Sequence, residues 1–121
     1  MPAPEASASR LVVNADDLGI SPAVTKGILE AHEAGILKSA SLMANAPGFE
    51  DAVRRLRSCP TLGVGLHFNL TAGRPLSAQT PEGGLVDRSG RFHPLGRFIL
   101  RCAAGRVKAE AIERELRAQL G

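Results

Sequence analysis

Residues 11–17, LVVNADD, give the clearest indication of the fold class of this chain. Three apolar residues, Leu11 to Val13, are followed at once by a polar group that ends in the carboxylate pair Asp16 and Asp17. A short continuous apolar run bounded by polar residues is typical of a buried parallel strand. We therefore predict a strand over residues 11–13, with both carboxylates just past its carboxyl end.

The segments that follow alternate between helix and strand signals. Ser21 and Pro22 predict an N-cap and the first turn of a helix. A second strand over residues 38–43 and a third over residues 61–70 flank a helix over residues 49–56. Because consecutive β-α-β units give parallel strands with right-handed crossovers, the sequence predicts an α/β fold with a parallel sheet.

The chain changes character after residue 71. Residues 72–97 are rich in Gly, Arg and Pro and show little periodicity, which predicts a long irregular loop. A short helix is expected over residues 98–103 and a clearer one over residues 107–120. Such a loop in a compact domain is usually functional or disordered.

Composition limits the class of protein. The chain has 121 residues and 44% apolar side chains, enough for one compact domain. With four Phe and no Trp or Tyr, it is a poor fit to a nucleic-acid binder or lectin that stacks aromatic side chains. The net charge of +3 comes from scattered cations, which favours a solvated surface over a face that follows phosphates. We predict no nucleic-acid partner.

Signals for export or membrane insertion are missing from the sequence. Residues 1–9 lack the basic and apolar regions of a signal peptide, so we expect a disordered tail followed by a domain over residues 10–121. No apolar run approaches the roughly 20 residues of a membrane helix. Cys59 and Cys102 match no metal spacing and suit a reduced pair, so we expect a cytoplasmic protein without a transmembrane segment.

The pair Asp16 and Asp17 is the sharpest chemical feature. Two adjacent carboxylates at a partly desolvated strand end repel each other unless a cation or protonation of one carboxyl relieves them. A divalent metal would do so, with one Asp as ligand and the other free to act as a base. The alternative is that one Asp caps the next turn while its neighbour faces water. The residues alone leave both open.

His67 favours the metal interpretation. It lies near the end of the third predicted strand, in the stretch GLHFNLT of residues 65–71. Because the carboxyl ends of parallel strands converge on one side of a sheet, His67 can meet the carboxylates of the first strand there. A lone His is more often an ordinary core residue, but one beside a carboxylate pair is a better ligand candidate.

Further polar residues are candidates for binding substrate. Asn45, Asn69 and Arg74 fall near strand ends, where they could hold sugar hydroxyls, and His93 in the long loop could touch the same substrate. Pro75 follows Arg74 and favours an extended backbone there. Ordinary loop roles are the alternative for all four. His32 lies within the first predicted helix and is expected at the surface.

Three stretches resemble a known family: VVNADDLG at residues 12–19, SASLMAN at 39–45 and GLHFNLTAGRPL at 65–76. They are similar to the YdjC-like carbohydrate deacetylases, which include chitooligosaccharide deacetylases and the hopanoid-biosynthesis-associated HpnK branch. The resemblance runs from about residue 10 to residue 120, with the motifs in the family's order.

The resemblance implies the N-terminal half of a distorted (β/α) barrel that removes N-acetyl groups from amino sugars, with a hopanoid-linked sugar as one possible substrate. Asp16 would be the general base, and Asp17 and His67 would bind a divalent metal, zinc or magnesium. The cation would polarise the amide carbonyl while the base takes a proton from water. The residues alone do not decide which Asp has which role.

The chain departs from the family pattern in length. Family members are considerably longer, and their second metal-binding His lies downstream of the helix that ends this sequence. Three protein ligands are usual at a catalytic zinc, so we expect this chain to be inactive or weakly active alone.

Two other classes of protein stay open. A signalling receiver also places acidic residues after its first strand, but it would need an Asp at the end of the third strand, where His67 and Asn69 stand. A non-catalytic interaction module is the other. Open sheet edges and the apolar stripe of Ile112, Leu116 and Leu120 predict homo-oligomerisation.

Overall fold

A computed structural model describes residues 11–121. In chain order its elements are β1 (Asn14–Leu18), α1 (Pro22–Glu33), β2 (Ser39–Leu42), α2 (Phe49–Leu56), β3 (Gly63–Leu66), a 3-10 turn (Pro81–Gly83), α3 (Leu95–Ala103) and α4 (Ala109–Leu120). The three strands form one parallel sheet in the order β1-β2-β3. The predicted α/β class is confirmed, whereas the predicted disordered tail lies outside the described residues.

Helices α1 and α2 make the two crossovers and cover one face of the sheet. The main core consists of Leu18, Ile28, Leu29, Leu37, Ala40, Ala52 and Leu62. Ser21 caps α1, because its Oγ accepts a hydrogen bond from the Val24 N–H at 3.2 Å, and Pro22 opens the helix as the sequence predicted. The bounds of α2 are those predicted.

The position of β1 corrects the sequence prediction. Leu11 and Val12 are 87% and 68% exposed, and the strand begins only at Asn14. Pairing with β2 explains the shift, because Lys38 N–H bonds to the Val13 carbonyl and the ladder runs onward from there. The carboxylate pair therefore lies inside the strand rather than after it.

The long segment after β3 is irregular, as predicted, but it has a core of its own. Leu85, Val86 and Phe92 are buried with Ala111 of α4, and an isolated antiparallel bridge joins Val86 to Phe92. Helix α3 begins at Leu95, three residues before the predicted start at residue 98. No helix within residues 11–121 has both the length and the apolar character to cross a membrane.

Helix α4 buries a polar face. The predicted stripe of Ile112, Leu116 and Leu120 exists, but Leu120 is 71% exposed, and the fully buried residues of this helix are Ala111, Glu115 and Gln119. This chain covers the apolar stripe only in part, because Ile112 packs against the core of Leu85, Val86 and Phe92 while Leu120 stays exposed.

Buried hydrogen bonds explain why α4 packs in this orientation. The Glu115 carboxylate accepts hydrogen bonds from the backbone N–H groups of Leu76 and Ser77, from Ser77 Oγ and from Gln119 Nε2, at 2.6–3.0 Å. The Gln119 amide in turn donates to the Asn69 carbonyl at 2.7 Å and accepts from the Asn69 N–H at 2.9 Å. A buried carboxylate with four donors is tolerated because its oxygens are satisfied. We call Asn69, Ser77, Glu115 and Gln119 the α4 network.

We predict that Glu115→Ala destabilises the protein by about 2–4 kcal/mol, because it leaves several buried donors without an acceptor. Glu113→Ala is the matched control. Glu113 lies on the same helix, 63% exposed, and pairs only with Arg117, so its loss should cost about 0–0.5 kcal/mol. Urea unfolding followed by circular dichroism measures both. Equal losses in the two variants would contradict the structural role of the α4 network.

Candidate active site

Asp16 lies on the face of the sheet opposite to α1 and α2. Its Oδ1 accepts hydrogen bonds from Ser41 Oγ of β2 at 2.6 Å and from Asn14 Nδ2 at 2.9 Å. Asn14 and Asp16 share this face because side chains two apart in a strand point the same way, while Ala15 packs towards the core on the other face. The two donors hold one carboxylate oxygen and leave Oδ2 without a hydrogen-bond partner among residues 11–121.

Asp17 departs from regular strand geometry. Its φ is 61°, in the left-handed region, and it is the one non-glycine residue between 11 and 121 with positive φ. The pairing of β1 with β2 is irregular at the same place, between Ala15 and Leu18. A left-handed non-glycine residue costs energy and is found disproportionately at functional sites.

His67 meets Asp17 across the sheet. The backbone N–H of His67 bonds to the Leu42 carbonyl at 2.8 Å, which extends the β2–β3 ladder by one residue. This bond holds the His67 backbone, from which the imidazole projects, in place. Nδ1 of His67 lies 3.5 Å from Asp17 Oδ1 and accepts a hydrogen bond from the Asp17 N–H at 3.3 Å. The structure thus brings together Asp16, Asp17 and His67, the three residues that the sequence singled out.

The chemistry of this pair fits a divalent cation. Nδ1 of His67 faces both the Asp17 N–H and a carboxylate oxygen of Asp17, so a cation bound by both side chains would take the place of that N–H hydrogen bond. Imidazole nitrogen and carboxylate oxygen are both ligands of zinc. Asp17 and His67 are 52% and 31% exposed at the side chain, which leaves them accessible. Within residues 11–121 no group of three or more His, Cys, Asp or Glu side chains is placed to hold a metal ion.

Asn45 and Asn69 hold the loop after β3 together. Asn69 Oδ1 accepts from the N–H groups of Thr71 and Ala72, and its Nδ2 donates to Asn45 Oδ1 and to the Ala72 carbonyl, all at 2.8–3.1 Å. Asn45 Nδ2 donates to the carbonyls of Ala72 and Arg74. Every polar atom of the Asn69 side chain is thereby used inside the protein, and its suggested contact with substrate stays a prediction.

The two remaining predicted substrate residues lie on the loop that follows. Arg74 Nη1 donates to the Ser89 carbonyl at 2.8 Å, so its guanidinium is directed towards residues 88–90. His93 is 4% exposed and lines a different cavity from the one near Asn45. Burial and the positive charges of Arg101 and Arg97 lower the pKa of His93. The structure thus groups His93 with arginines, not with Asp16, Asp17 and His67.

The structure shows several contacts that the sequence did not predict. Ser41 and Asn14 orient Asp16, and the alternation of strand residues could have identified both. His32 is not a free surface residue, because its ring bonds to the Leu37 carbonyl at 2.8 Å and to Thr61 Oγ1 at 2.9 Å. Nothing in the sequence distinguishes the buried Glu115 from the exposed acidic residues around it.

Comparisons with known proteins agree with the motifs. The family model described as YdjC-like protein matches residues 10–121. A carbohydrate deacetylase of Brevibacillus brevis is 48% identical over 93% of this chain and 42% of its own length. A carbohydrate deacetylase of Geobacillus stearothermophilus is 49% identical over 90% of this chain and 41% of its own length.

A solved structure has the same fold. A crystal structure from Enterococcus faecalis V583, described as a candidate cellobiose-phosphate cleavage protein, superimposes with a TM-score of 0.78 at 36% identity. The match covers 89% of this chain and 41% of that one. The chain therefore spans about two fifths of the length of the proteins that it matches.

Close backbone contact after β1 holds the Asp17 segment. The Gly48 N–H bonds to the Gly19 carbonyl at 2.8 Å, and a Cβ added at Gly48 would lie 2.6 Å from that oxygen. We predict that Gly48→Ala costs about 1–3 kcal/mol. Gly27→Ala in α1 is the control, because a Cβ at Gly27 meets nothing within 4 Å. This variant should raise the free energy of unfolding by about 0.5–1 kcal/mol. Thermal unfolding measures both, and a stabilised Gly48→Ala variant would contradict this contact.

Proposed function

Because this chain belongs to the YdjC-like protein family, we propose that it forms part of a metal-dependent hydrolase that removes N-acetyl groups from an acetylated amino sugar or glycolipid. The observation that carries the proposal is the approach of Asp17 Oδ1 to His67 Nδ1 at 3.5 Å, beside the separately oriented carboxylate of Asp16. The names of the curated relatives supply the substrate class, a carbohydrate that carries an acetyl group.

The geometry favours one assignment of the two carboxylates. Asp17 faces His67, so these two would hold the cation, zinc or magnesium, with further ligands from outside residues 11–121. When bound, that cation would supply Lewis-acid polarisation of the amide carbonyl. Asp16 does not contact His67, and its Oδ2 is free to accept a proton. We therefore assign Asp16 as the general base.

The reaction follows from these positions. Asp16 Oδ2 takes a proton from a water molecule as the water oxygen attacks the acetyl carbon, and the carbon–nitrogen bond of the amide then breaks. The departing amine nitrogen takes a proton from an acid outside residues 11–121, and Asp16 then releases its proton to solvent, so the products are acetic acid and the free amine. Ser41 and Asn14 fix the carboxylate, so little reorganisation is needed when it accepts the proton.

Finer features of the proposal rest on the family resemblance. We propose that the parallel sheet is the first half of a distorted (β/α) barrel, and that the open face bearing Asp16 lines its interior. A hopanoid-linked sugar, as in the HpnK branch, is a specific substrate to test, and the cytoplasm is the proposed location. Asn45, Asn69, Arg74 and His93 are proposed to border the substrate, the first two by shaping the loop rather than by free side-chain groups.

Acetate release tests the proposed activity. In the longest natural protein that contains this sequence, supplied with zinc or magnesium and an acetylated chitobiose-type sugar, Asp16→Asn should lower kcat about 10²–10⁴-fold. His67→Ala should abolish the stimulation by added metal. Asp51→Asn is the control, because this carboxylate pairs with Arg54 and Arg55 on α2, away from the site. Full activity of both Asp16→Asn and His67→Ala would refute the assignment.

Self-association is a second proposal, favoured by one surface. Phe68, Ile112, Leu116 and Leu120 line an open apolar groove on α4. Phe68 and Leu120 are 49% and 71% exposed, and exposed apolar patches commonly mark interfaces. This groove suits the predicted homo-oligomer, with a second copy of the chain as the partner.

We expect the 121-residue chain to form dimers or larger assemblies at micromolar concentration, since burying this groove removes apolar surface from water. Leu116→Glu combined with Leu120→Glu should shift the chain towards monomer in light scattering. Ile36→Glu, at an apolar residue that is 65% exposed outside the groove, is the control. A parent chain that is monomeric throughout would contradict self-association.

A further inference from the structure

A second cavity lies away from Asp16, Asp17 and His67. It has a volume of about 500 Å³ and is formed by the loop between residues 81 and 93 together with one side of α3. Its lining includes three arginines, Arg88, Arg97 and Arg101, and one carboxylate, Asp87. The net formal charge of these four side chains is +2.

The one carboxylate is occupied within its own loop. Asp87 Oδ1 accepts hydrogen bonds from the Ser89 N–H, from Ser89 Oγ and from the Arg91 N–H, at 2.6–3.1 Å. These bonds lower the pKa of Asp87, with the Ser89 side chain as the largest cause. The Asp87 carboxylate stabilises the loop through these bonds and forms no ion pair with the arginines within residues 11–121.

The arginines are arranged to receive an anion. Arg97 and Arg101 stand one helical turn apart on α3, where side chains at this spacing lie side by side. Arg101 Nε donates to the Gly84 carbonyl at 3.0 Å, which fixes its guanidinium and leaves its terminal nitrogens available. Within residues 11–121, Arg88 and Arg97 make no ion pair. Guanidinium groups match the oxygens of a phosphate in pairs.

A buried imidazole points to a missing partner. His93 is 4% exposed, and its Nε2 has no hydrogen-bond partner among the described residues. An unsatisfied buried polar atom costs free energy and calls for an explanation. Burial and the two arginines of α3 lower the pKa of His93, and its ring donates to the Val86 backbone, so Nε2 carries a lone pair that needs a donor from a ligand and cannot pair with a phosphate oxygen.

Helix α3 contributes the side chains of Arg97 and Arg101 to the cavity, whereas Leu95 and Gly96, which open the helix, are not among the lining residues. The cavity thus combines three guanidinium groups with one buried imidazole.

We propose that this cavity is a binding site for a phosphate monoester, whose anion is held by Arg97 and Arg101 with Arg88 at the rim. A phosphate monoester carries two negative charges on three free oxygens, so it can accept hydrogen bonds from several guanidinium groups at once. A carboxylate has one charge and two oxygens and should bind the same arginines more weakly. The volume of about 500 Å³ exceeds what a phosphate group alone needs and leaves room for the organic part of an ester. The inference does not depend on deacetylation, because it concerns binding at a separate cavity.

Calorimetry with the 121-residue chain at constant ionic strength and pH 7.5 tests the proposal. Inorganic phosphate and phenyl phosphate are the probes, and acetate is the comparison anion. We expect saturable binding of both phosphates with a Kd below about 1 mM, and acetate weaker by about tenfold or more. Failure of acetate release with intact phosphate binding would overturn only the proposed deacetylation, so the two hypotheses fail separately.

Three variants locate the site. Arg97→Gln and Arg101→Gln should each weaken phosphate binding about tenfold, since each removes a guanidinium donor to the anion. Arg57→Gln removes one exposed positive charge at the end of α2, outside the cavity, and should bind phosphate like the parent. Arg97 is exposed, so Arg97→Gln should fold normally even if Arg101→Gln, which breaks the bond to the Gly84 carbonyl, does not.

Two results would overturn the proposal. One is the absence of saturable phosphate binding by the parent chain. The other is an equal loss in Arg97→Gln and Arg57→Gln, because that pattern would mean general attraction to a positive protein and not a built site.

Discussion

Buried hydrogen bonds join the last helix, α4, to the loop that leaves the sheet after β3. Glu115 and Gln119 bind the backbone of residues 69, 76 and 77. The Asn69 side chain in turn donates a hydrogen bond to Asn45, which lies just after β2. Ile112 of the apolar stripe packs against the core of Leu85 and Phe92, whereas the polar network occupies the side of α4 that carries Glu115 and Gln119 and binds the loop after β3.

The site uses a local irregularity that regular strand geometry would not provide. In an ordinary strand, Asp16 and Asp17 would project to opposite faces of the sheet. The left-handed backbone of Asp17 redirects its carboxylate and N–H towards His67, while Asp16 stays with Ser41 on the open face. Two adjacent carboxylates thereby receive different surroundings and can take different roles, one as a ligand and one as a base.

The sequence predicted those parts of the structure that depend on local signals. Ser21 and Pro22 located the start of α1, and the ordered motifs brought Asp16, Asp17 and His67 to one region. The sequence predictions were wrong where tertiary contacts override the local sequence pattern. The apolar residues Leu11 and Val12 lie outside the sheet because strand pairing sets the register, and Glu115 is buried because four donors surround it. Neither contact is visible in a single sequence.

The proposed function requires Asp17 and His67 to bind a cation together. Nitrogen NMR of the three histidine rings during a zinc titration measures this binding, since the ring nitrogens report ligation and protonation separately. We predict a saturable change at His67 that Asp17→Asn weakens at least about tenfold, with little change at His32 and His93. An unchanged His67 ring in excess zinc, or an equal response in Asp17→Asn, would refute the pair as a cation site.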